Sequence, residues 1–306
     1  LLFFAAQNQL KTISLGKPTA CGRCGKGAIA RTVSSNLNHS KMKNYIIFFF
    51  LLGFLTSGGV FSQDVNVKIG VKDSIYSKIV NEARQLIVSL PKDYDVSNKA
   101  YPVLYLLDGS ENNLIDGRLV TYNLRMEMII VAIANTDRDR DMMPLSRPSY
   151  VVENPQAENF ISFLETELVP YIDNNYRTNG LKTIRGRSLS GLFVMYAFLA
   201  KPTLFDNYIG NCAGWFADMD AYFNTLADKA FKNKSDYQGK KLFVANSLSD
   251  PLDPKGEIHQ SVVDFSERVT SELNGRVDFK YMTYEDAGHV PYSSFYDGMK
   301  YIMKTE

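Results

Sequence analysis

Two near-continuous apolar runs most constrain what this chain can become: Tyr101-Pro-Val-Leu-Tyr-Leu-Leu107 and Met128-Ile-Ile-Val-Ala-Ile-Ala134. Neither alternates apolar with polar residues, so neither suits a strand with one wet face; each reads as a strand covered on both sides. Further short strands are expected at Lys182–Arg187, Phe205–Asn211, Lys241–Ala245 and Val277–Tyr284. Between and after them, helical segments are expected at Glu158–Asn174, Gly191–Ala200, Asp218–Lys234, His259–Leu273 and Ser294–Met303. That alternation predicts an α/β fold with a mostly parallel central sheet and helices on both faces. Val65–Val71 and Arg84–Leu90 are expected to form an antiparallel opening pair. Asp108-Gly109 is expected to open a loop, and Asn135–Asn154, charged and Pro-containing, a long loop or small lid. In such sheets, chemistry gathers in the loops at the carboxyl ends of the strands.

The chain has 306 residues, 45% of them hydrophobic and 22% charged, a globular rather than disordered balance. Its net charge of +1 supplies no global pull toward nucleic acid or anionic lipid, and no nucleic-acid partner is expected. The first Met is Met42, followed by Lys-Asn, an apolar run from Tyr45 to Leu55, and the small-residue exit Thr-Ser-Gly-Gly-Val-Phe-Ser. Residues 42–62 therefore read as a secretory signal, the run being about half the roughly 20 residues a membrane span needs. Residues 1–41 are expected to lie upstream of the natural start, 63–306 to form a single domain, and the mature protein to be periplasmic or secreted with no stable membrane span. Cys21 and Cys24 have metal-ligand spacing but no further ligands beside them, so no metal is expected there. Without residues 1–62 only Cys212 remains, and a lone Cys forms no internal disulfide.

Gly186-Arg-Ser188-Leu-Ser-Gly191 joins an expected strand to an expected helix. A nucleophile elbow holds its Ser on such a turn, with small residues two before and two after it. Ser188 satisfies this with Gly186 and Ser190, although Ser190 stands where glycine is usual. Ser190 as nucleophile would put Leu192 at a crowded position. Three histidines exist: His39, His259 and His289. His39 precedes the expected start and His259 opens a helical run, leaving His289, just after the last strand, as the base a serine needs. The order Ser, acid, His of the α/β-hydrolases puts the acid after Lys241–Ala245, at Asp250 with Asp253 as substitute. Backbone amides of Leu189 and of the Gly109-Ser110 loop, Ser110 in particular, are the expected oxyanion donors. Trp215 is a candidate to line the substrate pocket, and Asp137-Arg-Asp-Arg-Asp141 reads as a solvated charged run.

Taken together, Tyr101–Gly109, Val131–Arg138, Gly186–Phe193, Gly288–Pro291 and Tyr296–Tyr301 resemble the esterase family that includes enterochelin (siderophore) esterases, feruloyl and acetylxylan esterases, formylglutathione hydrolases and mycolyltransferases. Asn135-Thr-Asp-Arg138 looks nearest the siderophore-esterase branch. The resemblance implies an α/β-hydrolase fold and a serine esterase acting through an acyl-enzyme, with Ser188 as nucleophile and His289 as base. It implies a small-molecule or glycan-linked ester substrate and no metal or organic cofactor. An acyltransferase, or a catalytically silent binding protein on the same fold, are the alternative readings.

Overall fold

A computed structural model of the chain describes residues 68–285 and 287–303. The expected upstream segment 1–41, with Cys21, Cys24 and His39, and the expected leader 42–62 lie outside the described residues.

Among the described residues eight strands make one sheet: β1 (Val71–Ser77), β2 (Glu82–Ser89), β3 (Tyr101–Leu106), β4 (Ile129–Ile133), β5 (Thr178–Arg187), β6 (Asn207–Asn211), β7 (Lys240–Ser247) and β8 (Val277–Tyr284). Their order is β1-β2-β4-β3-β5-β6-β7-β8; β1, β2 and β4 pair antiparallel, and every pairing from β4 to β8 is parallel. The opening pair is antiparallel as expected, but its first strand is Val71–Ser77 rather than Val65–Val71. Pairing runs from Val71↔Val88 to Ser77↔Glu82; residues 68–70 lie outside the ladder, and residues 65–67 of the expected strand lie outside the described residues. β1 is a mostly exposed edge strand, which hid its pattern among Lys, Asp and Ser.

The two apolar runs fill both sides of this sheet. Val103, Tyr105, Ile129, Val131 and Ile133 face one core; Leu104, Leu106, Ile130 and Ala132 face the other. Truncating Leu104, Leu106, Ile129, Ile130 or Ile133 to Ala would cost about 2–5 kcal/mol through lost transfer energy plus a cavity. The larger core is covered by α3 (Ala157–Phe163), a π turn (Leu164–Leu168), α4 (Val169–Asn175), α5 (Leu189–Ala200), α6 (Asp220–Ala230) and α7 (Glu257–Glu272). The smaller core lies under α1 (Glu111–Asn123) and α8 (Ser293–Ile302).

The loop that opens at Asp108-Gly109 is short and leads at once into α1, and the charged segment after β4 contains the short α2 (Arg138–Met142). Both escaped the sequence pattern for a physical reason. The buried face of α1 is Leu114, Gly117 and Thr121, which carries almost no apolar periodicity, and the helix is set instead by the Ser110 cap accepting from the Asn113 amide at 3.2 Å. In α2 the anchor is polar. Asp141 is buried and pairs at 2.5 Å with Arg84, a fully buried side chain that also lies over the rings of Phe160 and Phe163. The run Asp137–Asp141 is thus an anchored element, not a solvated one.

Candidate active site

Ser188 sits between the end of β5 and the start of α5 at φ +56°, ψ −126°, a region a non-glycine residue occupies only under constraint. The constraint is visible: the Ser188 amide donates to Asn211 O of β6 at 2.8 Å, and a Cβ on Gly186 would fall onto the Ser190 carbonyl. Tertiary packing therefore holds the hydroxyl out from the sheet edge. His289, in the loop after β8, meets it there with Nε2 at 2.8 Å from Ser188 Oγ. Its other nitrogen, Nδ1, lies 2.8 Å from Asp250 Oδ2 in the loop after β7. Asp250 is buried, and its Oδ1 accepts from the Leu252 amide at 2.8 Å. That bond leaves the carboxylate one free oxygen, which is the one turned to the imidazole. Asp253 is spent elsewhere, accepting from the His259 amide at the start of α7, and His259 itself pairs with the Tyr281 hydroxyl. The chain order Ser188, Asp250, His289 is thus closed into one hydrogen-bonded line.

Two cavities flank that line. One, of about 560 Å³, is polar and includes Asp108, Ser110, Asn135, Arg138 and Arg187. The other, of about 510 Å³, is walled by Met143, Leu192, Phe216, Met219, Leu252 and Ile258. Ser188, His289 and Arg138 border both. Ser110 lines the polar cavity and Leu189 the apolar one, and neither backbone amide has an acceptor among the described residues. The amide of Gly109 is taken by Ile133 O at 2.7 Å, so of the expected pair Gly109-Ser110 it is Ser110 that keeps a donor free.

The model of the family described as "Putative esterase" matches residues 77–255. The chain belongs to that family. The match takes in Ser188 and Asp250 and ends before His289, whose place rests on the geometry above. Among similar proteins is the ferri-bacillibactin esterase BesA of Bacillus subtilis (strain 168), 33% identical over 133 residues, which cover 36% of this chain and 46% of that protein. The chain thus spans about half the length of the curated relative it matches. A solved IroE-like serine hydrolase from Shewanella oneidensis is 28% identical with a TM-score of 0.65, over 76% of this chain and 79% of that one. The BES protein from Bacillus cereus, 21% identical, superposes with a TM-score of 0.68 over 81% of this chain and all 100% of that one. The fold is the α/β-hydrolase fold.

One expected residue of this esterase-family chain is misplaced. Trp215 lines neither cavity: it is buried, its ring stacks on Phe223 at 4.1 Å, and its Nε1 donates to Asp220 at 2.8 Å. A large ring whose one polar atom is satisfied inside is a core residue. Its neighbour Phe216 reaches the apolar cavity instead, under the guanidinium of Arg147 at 4.0 Å.

Asp108, read from sequence only as part of the opening of a loop, belongs to the site as well. Its carboxylate accepts from Arg138 Nε at 2.6 Å and Nη2 at 2.8 Å, from Asn135 at 2.7 Å, and from the Ser190 hydroxyl at 2.7 Å. Burial pushes its pKa up, but those bonds outweigh it and hold the carboxyl below its ordinary 3.8. The signal available was Asp108-Gly109 facing Asn135-Thr-Asp-Arg138 across adjacent strand ends, which only the β3–β4 pairing brings together.

The one cluster of metal-type donors among the described residues is Cys212, Asp250 and His289. Burial pushes the Cys212 thiol up to about 12, and the thiol donates to the His289 carbonyl. A thiol that keeps its proton, beside an imidazole already engaged at both nitrogens, does not suit a metal.

Proposed function

We propose that this protein is a serine ester hydrolase that works through an acyl-enzyme, with Ser188 as nucleophile, His289 as base and Asp250 as the acid that orients it. The observation that carries the reading is the continuous line Ser188 Oγ to His289 Nε2 to Asp250, with 2.8 Å at each step. In the first step Nε2 takes the Ser188 proton as Oγ attacks the ester carbonyl. The amides of Leu189 and Ser110 hold the oxyanion. Collapse breaks the bond to the alcohol, which leaves with the proton returned from His289. Water then attacks the acyl-enzyme by the same route and frees the acid and Ser188.

The substrate we infer is a siderophore ester. The names of the similar proteins support it: a ferri-bacillibactin esterase and, with fold likeness alone, a siderophore hydrolase EstA from Aspergillus nidulans. Feruloyl and carbohydrate esters are the next candidates. We further propose export to the periplasm or outside the cell, on the signal-like segment 42–62; among the described residues no helix is long and apolar enough to cross a membrane. Purified protein should hydrolyse a short p-nitrophenyl ester and be labelled by a fluorophosphonate. Ser188→Ala should lose both, by a factor of about 10⁶ in kcat for a serine nucleophile. Full activity in that variant, or an unlabelled wild type, would sink the assignment. A panel of siderophore, feruloyl and sugar acetyl esters, scored by kcat/KM, then ranks the substrate classes, and formation of acylated alcohol in place of free acid would identify an acyltransferase.

A further inference from the structure

The two expected oxyanion donors come from different parts of the chain. Leu189 belongs to the elbow at the end of β5, and Ser110 to the loop after β3. Only contacts between those loops can keep two amides aimed at one point. The structure contains such a contact, and it runs through the residue at which this elbow departs from the usual glycine. Ser190 is fully buried. Its hydroxyl accepts from the Arg187 amide at 2.8 Å, and its single proton faces Asp108 Oδ2 at 2.7 Å, with Arg187 O at 2.9 Å as the other acceptor. Asp108 directly precedes the Gly109-Ser110 turn and holds a φ of +55°. Its own carbonyl accepts from Asn113 Nδ2 in the first turn of α1. A shift of its carboxylate would therefore carry the Ser110 amide with it. Glycine at position 190 can make none of these side-chain bonds.

Charge adds a second reason. A carboxylate beside the place where an oxyanion forms would oppose that oxyanion. Here Arg138 grips both carboxylate oxygens and also reaches Arg187 O at 3.4 Å, so the pair presents no net charge. Asp108 can then serve as a rigid four-donor hub without raising the barrier. We propose that Ser190 is a positioning residue: through Asp108 it locks the elbow to the Ser110 loop and holds the two oxyanion amides in register. This rests on the ester-hydrolase reading above.

The test compares wild type, Ser190→Gly, Asp108→Asn and the double variant on a p-nitrophenyl ester, with fluorophosphonate labelling rate as a parallel readout. A labelled serine places a phosphonyl oxygen where the oxyanion sits, so it reports the same alignment. Ser190→Gly is expected to lower kcat by about tenfold, less than the loss of a whole donor, with KM within about twofold. Asp108→Asn, whose amide cannot accept all four bonds, should fall at least as far, and the double variant should fall no further than the worse single, because both act on one bridge. Labelling rates should follow kcat. Ser190→Gly within twofold of wild type in kcat, or losses that multiply in the double variant, would overturn the bridge. If Ser190→Gly loses its cooperative unfolding transition, Ser190→Ala, which keeps helix propensity and still lacks the hydroxyl, reads the same quantity. A wild type that neither hydrolyses nor labels overturns the proposed function itself; an active wild type with an unchanged Ser190 variant overturns only the bridge.

Discussion

The two cavities beside Ser188 are of similar size and differ in how they are built. On the polar side, Asp108, Asn135, Arg138 and Ser190 bond mainly to one another, so their positions are settled before any substrate arrives. On the other side, Met143, Leu192, Phe216, Met219, Leu252 and Ile258 make most of the wall and offer apolar surface, beside Arg147, Ser149 and Tyr150, which are bonded to Asp218 and Asp139. A preorganised polar wall suits the reacting carbonyl, because donors that need not reorganise stabilise charge most. An apolar wall suits the inert part of a substrate, whose burial is non-directional and scales with area. The contrast says that rate should be set on one side of the serine and chain-length preference on the other.

The largest effect should come from the seam that both sides share. Asp250→Asn leaves the geometry nearly intact but favours the wrong imidazole tautomer, and kcat should fall by about 10⁴ for short and long acyl chains alike. Unequal losses across a p-nitrophenyl ester series would show that the seam is not shared. Next, Phe216→Ala should lower kcat/KM for hexanoate relative to acetate by about tenfold, the worth of one to two buried methylenes. An unchanged ratio would mean that the acyl chain does not use the apolar side. Arg138→Gln should act on stability as well as rate, because it leaves the largely enclosed Asp108 without its cation. With Arg138 about a third exposed, we expect about 1–2 kcal/mol, seen as a Tm lower by about 4 °C.

Asp108 also carries a pH signature. Its folded pKa is depressed, so its contribution to stability is fully present above the unfolded value near 3.8 and is lost as pH falls through the folded one. Tm measured below about pH 4 should therefore drop less steeply in Asp108→Asn than in wild type. The smallest effect is expected at Cys212. It borders the apolar cavity, yet burial pushes its thiol up to about 12, so iodoacetamide at pH 7–8 should leave activity unchanged over an hour. Rapid inactivation that substrate prevents would contradict that burial.

The sequence by itself determined the class of fold and the types of residue at its centre. Two apolar runs without alternation had to be doubly covered strands. A serine between small residues, a scarcity of histidine and a chain order were enough to point to Ser188, His289 and Asp250. These are local properties or eliminations, and they need no knowledge of what lies across the sheet. Tertiary structure decided everything that depends on distance between remote segments. It chose Asp250 over Asp253 by giving the latter a helix amide to cap. It withdrew Trp215 into the core and brought out Phe216, a difference of one position that depends on how one loop turns. It made helices of two segments whose anchors are a cap and a buried ion pair, neither of which leaves an apolar period. Most of all it gave Ser190 a partner 82 residues away. In sequence Ser190 was only a mild irregularity in a motif. The β3–β4 and β3–β5 pairings put its hydroxyl against Asp108, because parallel neighbours end their strands at the same edge of the sheet.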